Sequence, residues 1–259
     1  MNQLNPFHEL YVTEDIKSDR FVRLFSPYFV QHAHSLFQAG NVILTGLPGS
    51  GKSMLLSLLT PEVRLSYLKT ETEFPIPERI SNFIGAGINL RQSGAFNFGQ
   101  RVDISPGSIE FDLFPLYFGD FLNYFIVADL LKSLTIFTKD IDDNKVQNKI
   151  IINKSRLDQF SYEISKNDCW FGYLGDGLDF QSLKNKIAKR ITDYRAYLNH
   201  NLNEIPKNIS DSKTVIGAPI SITADLLRSC GVISDETNIF VRIDQYEDLR
   251  SIGPSDSQV

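Results

Sequence analysis

The sequence predicts an α/β fold in which a parallel sheet is flanked by helices and carries a large, mostly helical insertion. Three observations lead to this prediction. A short apolar run, "NVIL", precedes the glycine-rich stretch "TGLPGSGKS" and an apolar pattern typical of a helix. A second apolar run, "NIFVRID", ends in an acid near the other end of the sequence. Most residues lie between these two stretches, and their patterns are mainly helical.

The glycine-rich stretch from Gly46 to Ser53 matches the phosphate-binding pattern G-x-x-x-x-G-K-[ST] at every position. Glycines allow consecutive backbone N–H groups to turn toward an anion, and the start of a helix adds its dipole. In this pattern Lys52 reaches the β- and γ-phosphate oxygens, and the Ser53 hydroxyl binds Mg²⁺. We therefore predict a nucleotide-binding P-loop formed by Gly46, Leu47, Pro48, Gly49, Ser50, Gly51, Lys52, Ser53 and Met54.

The sequence around the loop supports the same interpretation. Residues 41–45 have the apolar character of a buried parallel strand, and residues 53–59 are apolar enough for a helix packed on a sheet. A P-loop also requires an acid after a second buried strand, and Asp244 is predicted to hold Mg²⁺ there. Arg242 interrupts this second run, which predicts either a partly polar strand face or an ion pair with an acid.

The residue that would activate the attacking water is harder to identify than the phosphate and metal ligands. Gln245 follows Asp244, and an amide cannot accept a proton from water. Glu247 and Asp248 are the nearby carboxylates, and we favour Glu247, so that Lys52, Asp244 and Glu247 form the predicted catalytic set. Two alternatives stay open: slow hydrolysis with the protein resting in an ATP-bound state, and an engineered Glu-to-Gln change at position 245.

The first part of the region between the motifs is predicted to contain two strands and a long helix. The stretch "EVRLSYLK" and residues Phe83 to Leu90 have the character of short strands. A helix follows with Pro115 at its start, because proline suits the first helical turn. From Tyr117 its apolar residues recur at helical spacing and are interpreted as core: Phe121, Tyr124, Phe125, Ala128 and Leu131.

Later residues of this region are predicted to form an exposed linker and two further helices. The lysine-rich residues 139–160 are interpreted as the linker, and a helix ends near Gly231 with Thr223 and Asp225 at its start. Between them, residues 180–202 form an amphipathic helix whose apolar face is Leu183, Ile187, Ile191, Tyr194 and Leu198. The remaining surface of that helix is predicted to be a solvated cationic face, with a nucleic-acid or partner face as the alternative; its residues are Lys184, Lys186, Lys189, Arg190 and Arg195.

These elements suggest three regions: residues 1–135 with the N-terminal segment and first half of the core, residues 136–212 as a mostly helical insertion, and residues 213–259 with the second motif.

The 259 residues are 42% hydrophobic and 22% charged, which is ordinary globular composition. No apolar run approaches the ~20 residues of a membrane span, and no signal peptide is evident.

Two cysteines are too few for a disulfide scaffold, so we expect reduced thiols and a cytoplasmic protein without a membrane partner. The formal net charge of -5 gives no support to nucleic-acid binding, although a local basic face would permit it.

Four stretches carry a resemblance to a known family: "NPFHELYVTE", "LFSPYFVQHAHSLFQAGNVIL", "GLPGSGKSMLLSLL" and "VRIDQYEDL". Together they resemble the prokaryotic origin-recognition-complex-like branch of the AAA+ ATPases, which overlaps with the STAND signalling ATPases. The resemblance implies binding of ATP and Mg²⁺, frequent oligomerisation, and a role in DNA transactions or anti-phage defence. It also implies that Tyr11 and Val12 line the adenine pocket.

AAA+ ATPases continue past the second motif into a sensor strand, an arginine finger and a helical lid, whereas this sequence ends "LRSIGPSDSQV". We therefore expect a fragment of a longer protein, or a subunit whose site is completed by self-association or by a protein partner. The leading expectation is an ATPase module within a larger machine. The alternatives are a non-hydrolysing nucleotide switch or regulatory subunit, and a small-molecule kinase, which would share the loop.

Overall fold

The computed structural model describes residues 18–38, 40–47, 49–98, 109–140, 150–199, 201–202 and 204–246. Its helices, in chain order, are α1 (Ser18–Leu24), α2 (Tyr28–His32), α3 (Lys52–Ser57), α4 (Pro61–Lys69), α5 (Leu90–Ser93), α6 (Ile109–Asp140), α7 (Leu157–Ser165), α8 (Phe180–Leu198), α9 (Lys207–Ser210) and α10 (Ala218–Ser229). Short 3₁₀ turns occupy His34–Phe37, Glu78–Ile80, Lys154–Arg156 and Asp168–Trp170. Two strands, β1 (Phe83–Asn89) and β2 (Asn238–Asp244), complete the described structure.

The two strands pair in parallel, from Phe83 opposite Asn238 to Asn89 opposite Asp244. Parallel strands cannot be joined by a tight turn, and here the connection runs through helices α5 to α10. Strand β1 is buried along almost its whole length, whereas β2 is half exposed. Both strands were predicted from their apolar runs and are confirmed as strands, but β2 is not the buried strand that was predicted, since Val241 is 42% and Ile243 41% exposed.

Strand β1 separates two apolar clusters. The larger, here called the helical core, gathers buried side chains of α6, α7, α8 and α10 against Ile84, Ala86 and Ile88. The smaller, the N-terminal core, joins α1, α3 and α4 to Phe83. Because successive strand residues point to opposite faces, one short strand organises both clusters.

The fold class is confirmed only in part, because the described sheet has two strands and helices predominate. Residues 41–45 do not form the predicted strand: they are irregular, and Ile43 is 76% exposed. An apolar run becomes a buried strand only where neighbouring strands supply hydrogen bonds, and in the described structure β1 and β2 pair with each other. The division into three regions stays a prediction.

The stretch "EVRLSYLK" is helix α4 rather than a strand. Pro61 occupies its first turn after Thr60, whose backbone is extended, and this arrangement favours the start of a helix. Helix α4 is buried on most of its surface, so its apolar residues lack the spacing that would have identified a helix.

Other predicted boundaries also shift. Helix α6 begins at Ile109, so Pro115 lies inside it, on an exposed side, and does not start it. Helix α10 begins at Ala218, with a proline in its first turn. Thr223 and Asp225 therefore lie inside α10 and do not start it, and the Thr223 hydroxyl donates to the Pro219 carbonyl at 2.6 Å. Gly231 follows α10 with a left-handed φ of 70°, as expected for a helix end.

The predicted exposed linker is partly wrong. Lys139 still belongs to α6, and Ile150, Leu157 and Phe160 are buried. Residues 141–149 lie outside the described structure. The buried positions show that the chain returns to the helical core immediately after this gap.

Helix α6 carries the predicted aromatic stripe into the core. Phe121 and Tyr124 are fully buried and Leu131 is nearly so, which confirms the interpretation as core. Contrary to the expectation from the sequence, residues 114–139 are long and apolar enough to cross a membrane by length and composition alone. However, 67% of the most apolar window is buried inside the fold, as in the core helix of a water-soluble domain.

Helix α8 has the predicted apolar face, but Arg190 does not belong to its cationic surface. The Arg190 guanidinium is fully buried and pairs with the equally buried Asp120 carboxylate of α6 at 2.9 Å. Further donors to Asp120 are the Tyr194 hydroxyl and the Thr214 backbone and hydroxyl, each at 2.7 Å. Burial and the Asp120 charge raise the pKa of Tyr194 well above its usual value, so its hydroxyl stays protonated and donates.

The Arg190–Asp120 pair ties α6 and α8 to the segment before α10. Arg190 also donates to the Ser212 carbonyl at 2.9 Å, so one side chain satisfies acceptors from separate elements. Such a pair adds little net stability compared with apolar replacements, but removal of one partner leaves a buried charge unpaired.

We predict that Arg190→Met lowers the free energy of unfolding by about 3–5 kcal/mol, because it leaves the Asp120 carboxylate buried without its cation. Urea denaturation followed by circular dichroism measures this change. Arg195→Met, on the same helix but exposed, is the matched control and should cost less than about 1 kcal/mol. Equal losses from the two variants would contradict the assignment.

Candidate nucleotide and magnesium site

The glycine-rich loop lies on the surface between the N-terminal core and β2. Gly49 and Gly51 adopt left-handed φ angles of 82° and 87°, which other residues adopt only with strain. The Ser50 backbone N–H donates to the Leu47 carbonyl at 3.1 Å and closes a turn. Helix α3 begins immediately after Gly51, as the sequence pattern requires. Pro48 lies outside the described residues.

The Lys52 ammonium group lies over the loop. It donates to the Gly46 carbonyl at 2.9 Å and to the Leu47 carbonyl at 3.3 Å. Loop carbonyls are weak partners compared with phosphate oxygens, which carry full negative charge. Lys52 is therefore held at the loop, in a position from which its ammonium group can exchange these carbonyls for an anion.

Ser53 and Asp244 meet although 191 positions separate them in the sequence. The Ser53 hydroxyl, at the start of α3, donates to Asp244 Oδ1 at 3.1 Å. The contact places the hydroxyl of the first motif beside the acid of the second motif, and their binding of a metal stays a prediction. Both atoms are hard oxygen donors of the kind that Mg²⁺ prefers.

A magnesium ion fits this donor set only with additional ligands. Within the described ranges there is no group of three or more His, Cys, Asp or Glu side chains that could hold a metal by itself. Mg²⁺ usually keeps several waters and binds through one or two protein oxygens plus substrate phosphates. Ser53 and Asp244 would hold the ion together with those phosphates.

Strand β2 ends abruptly at Asp244. Gln245 adopts a left-handed φ of 64°, and its backbone N–H donates to Asp244 Oδ1 at 2.9 Å. The same carboxylate oxygen thus accepts from Gln245 and from Ser53, which fixes its direction. Glu247, the predicted base, and Tyr11 and Val12, the predicted adenine-pocket residues, lie outside the described structure, so their roles stay predictions.

A cavity of about 320 Å³ adjoins this site. Lys52 and Asp244 both line it, and its other walls are mainly apolar side chains of residues 42–44, α3 and β2. The loop lysine and the acid therefore face one common space. Met54, assigned to the nucleotide from the sequence, packs partly against the N-terminal core, and its contact with a ligand stays a prediction.

Arg242 holds β2 against α6. Its guanidinium donates to Asp129 at 3.1 Å, and both side chains are mostly buried. Of the two alternatives predicted for Arg242, a partly polar strand face or an ion pair with an acid, the structure shows the ion pair. Sequence patterns gave no sign of which acid this would be, because Asp129 lies 113 positions away.

Comparison with known proteins gives one family match. A family model described as ORC-CDC6-like matches residues 5–251, a range that includes both nucleotide motifs. No curated protein and no solved structure matches the chain. The family is of the AAA+ ATPase type and implies a P-loop fold, so the resemblance is confirmed at that level, whereas the prokaryotic and STAND assignments stay predictions. The match spans nearly the whole sequence, and the chain belongs to the ORC-CDC6-like family.

Proposed function

We propose that this chain binds ATP together with Mg²⁺ as an AAA+ ATPase module, and that binding or hydrolysis is coupled to the assembly of a larger machine. The 3.1 Å contact between the Ser53 hydroxyl and Asp244 Oδ1 carries this proposal, because it joins the two halves of a P-loop site. The family match over residues 5–251 supports the same reading.

Each residue has a role that follows from its position. The backbone N–H groups around Gly49 and Gly51 would surround the β-phosphate, and the Lys52 ammonium would move from the loop carbonyls to phosphate oxygens. The Ser53 hydroxyl and the Asp244 carboxylate would turn their oxygens to the cation. Bound Mg²⁺ supplies charge neutralisation on the β- and γ-phosphate oxygens.

The biological setting rests on the resemblance of the motifs. We propose a prokaryotic, STAND-like protein of the cytoplasm that acts in anti-phage defence or in DNA transactions. Self-association or a protein partner would complete the site. The formal net charge of -5 gives no support to nucleic-acid binding by the whole surface.

We predict that Lys52→Ala weakens the binding of Mg-ATP by about tenfold to 100-fold, because charge-assisted hydrogen bonds to phosphate are lost. Isothermal titration calorimetry of the purified chain measures the dissociation constant. Lys69→Ala, which removes an exposed lysine of α4, is the matched control and should bind as the wild type does. The proposed function is wrong when the wild type binds no ATP, or when Lys52→Ala binds it equally well.

We further predict that Asp244→Asn removes the effect of Mg²⁺ on ATP affinity, since the neutral amide keeps the shape of the side chain but loses its charge. Titrations with Mg²⁺ and with EDTA give that effect as a ratio of dissociation constants. Asp129→Asn is the control, because it makes the same change at a carboxylate that contacts β2 through Arg242. An Asp244→Asn protein with the full magnesium effect would place the cation elsewhere.

A second candidate function is a non-hydrolysing nucleotide switch, and Gln245 favours it. Its side chain cannot act as a base, and its backbone is fixed to the Asp244 carboxylate by the 2.9 Å hydrogen bond. In such a protein, bound ATP would hold one state of an assembly until it dissociates. The leading candidate, an ATPase, instead requires a base outside position 245, for which Glu247 is our proposal.

The rate of ATP hydrolysis distinguishes an ATPase from a non-hydrolysing nucleotide switch. When Glu247 activates water, the wild type hydrolyses ATP, Glu247→Ala lowers the rate about 100-fold or more, and Gln245→Glu adds little. When the protein is a switch, the wild type shows no turnover and Gln245→Glu creates it. A phosphate-release assay on the protein with its assembly partners measures the rates, with Lys52→Ala as the blank.

A further inference from the structure

An open groove of about 380 Å³ lies between helices α6 and α8. Its α6 wall runs from Ala128 to Lys139, and the residues that line it recur at the spacing of one helix face. At a helical rise of about 1.5 Å per residue, this wall is about 16 Å long. The α8 wall contains Lys184 and Ala188, which are one helical turn apart. The groove is therefore long enough for about three turns of a further helix.

The floor of this groove, here called the α6–α8 groove, is apolar. Leu131 is almost fully buried at its base, and Ile136 is half-buried. Ala128 and Ala188 lie on the two facing helices, and their short side chains leave the space between the helices unfilled. Apolar surface in a concave site gains free energy when another apolar side chain covers it.

Three lysines lie around this apolar floor. Lys132 and Lys139 of α6 are exposed, and Lys184 of α8 is half-buried. The Lys184 ammonium group donates to the Thr135 hydroxyl at 3.4 Å and lies 5.3 Å from the centre of the Phe180 ring. Both of these partners are neutral, so they leave its charge in place. The described residues that line the groove include no Asp or Glu, although the whole chain carries a formal net charge of -5.

One of these lysines already binds a carboxylate from outside the groove. Lys132 pairs with Glu62 of α4 at 2.5 Å, and Glu62 does not line the groove. The two side chains are 59% and 38% exposed, and such surface pairs contribute little net stability. A carboxylate supplied by a binding partner can therefore replace or join Glu62 at low cost.

The combination of an apolar floor with cationic edges identifies the kind of occupant. A nucleic acid requires cations for its phosphates and aromatic faces for its bases, but the described lining of this groove has no aromatic ring. An amphipathic helix places apolar side chains at helical spacing into a groove and carries polar side chains beside them. Glutamates beside such an apolar stripe would meet the three lysines.

We propose that the α6–α8 groove is a docking site for an acidic amphipathic helix of a protein partner. The inference goes beyond the proposed function, because the groove shares no lining residue with the cavity that contains Lys52 and Asp244. It assigns a surface and a chemistry to the partner.

The test uses a designed peptide as the probe. A fluorescein-labelled helical peptide of about 15 residues, with leucine and alanine on one face and glutamate on both flanks, covers the length of the groove. Fluorescence anisotropy measures its dissociation constant with the purified chain. A scrambled peptide of the same composition should bind about tenfold more weakly, because it cannot present one apolar face.

Paired lysine variants test the cationic edges. We expect Lys139→Gln with Lys184→Gln to weaken peptide binding about tenfold, because two charge pairs are lost. Lys154→Gln with Lys189→Gln removes the same charge at two exposed lysines that do not line the groove, and should stay within about twofold of the wild type. Circular dichroism melting shows whether each variant is folded.

A second pair of variants tests the apolar floor. Ala188→Trp fills the groove from an exposed position of α8 and should weaken peptide binding about tenfold or more. Asn185→Trp places the same side chain at an exposed position of α8 that does not line the groove, and should bind the peptide as the wild type does.

Cross-linking of the wild type locates the peptide without any substitution. A carbodiimide joins carboxylates to lysine amines that they contact, and mass spectrometry identifies the joined residues. Cross-links should concentrate at Lys132, Lys139 and Lys184. Equal labelling of the exposed Lys154 and Lys207 would show that the peptide is attracted by charge alone, and would overturn the proposal.

The remaining outcomes are equally decisive. The proposal is overturned when the acidic peptide does not bind, when it binds no better than its scrambled form, or when both lysine pairs have the same effect. It is also overturned when a labelled DNA duplex of similar length binds in its place and depends on Lys139 and Lys184, because the groove is then a nucleic-acid site. ATP titration of the Lys139/Lys184 variant keeps the two proposals apart: unchanged ATP affinity leaves the proposed function standing whatever the peptide does.

Discussion

The parallel pairing of β1 with β2 is the constraint on which the rest of the structure depends. It brings residues far apart in the sequence into register, and its last pair, Asn89 with Asp244, sets the position of the acid. Ser53 reaches that acid because α3 packs beside the end of β2. The nucleotide site is thus a product of strand register, and a slip of one residue would turn the Asp244 side chain to the opposite face.

Two glycines permit this pairing. A Cβ atom at Gly85 would lie 1.6 Å from the Leu59 carbonyl oxygen, so the segment after α3 lies directly on the strand. A Cβ atom at Gly87 would meet the Arg242 side chain and its carbonyl, each at 2.3 Å. Any larger residue at either position would push α3 or β2 away. The absence of a side chain at Gly85 and at Gly87 therefore helps to set the distance between the two halves of the site.

The motifs and long apolar patterns could be predicted from the sequence because their causes are local. The P-loop pattern, the two strands and the apolar faces of α6 and α8 depend on residue spacing, which the sequence displays directly. The prediction of a strand at residues 41–45 was wrong because its cause is not local. Its apolar residues suit a strand, but strand formation depends on neighbours supplied by distant segments, and the described structure provides none.

Arg190 shows where a closer use of the same pattern would have helped. It lies three residues after Ile187 and four before Tyr194, so helical spacing places it on the apolar face rather than the cationic one. Its charge suggested solvent, yet a buried arginine is stable when a carboxylate and carbonyls surround it, as Asp120 and Ser212 do. The prediction of a solvated Arg190 was therefore wrong although its spacing indicated burial, and its partners could be known only from the fold.

The residues at the end of β2 connect the pairing of β1 with β2 to the chemistry of the site. Gln245 adopts a left-handed φ, which costs a residue other than glycine on the order of 1 kcal/mol, and the strain must be offset by neighbouring contacts. Its backbone N–H donates to Asp244, and this hydrogen bond does not depend on the side chain at position 245. The carboxylate is therefore held in the direction proposed for a metal ligand whether position 245 carries an amide or a carboxylate. Nucleotide binding and water activation are separable in the proposed site, so a protein of this design would still bind nucleotide after loss of the base.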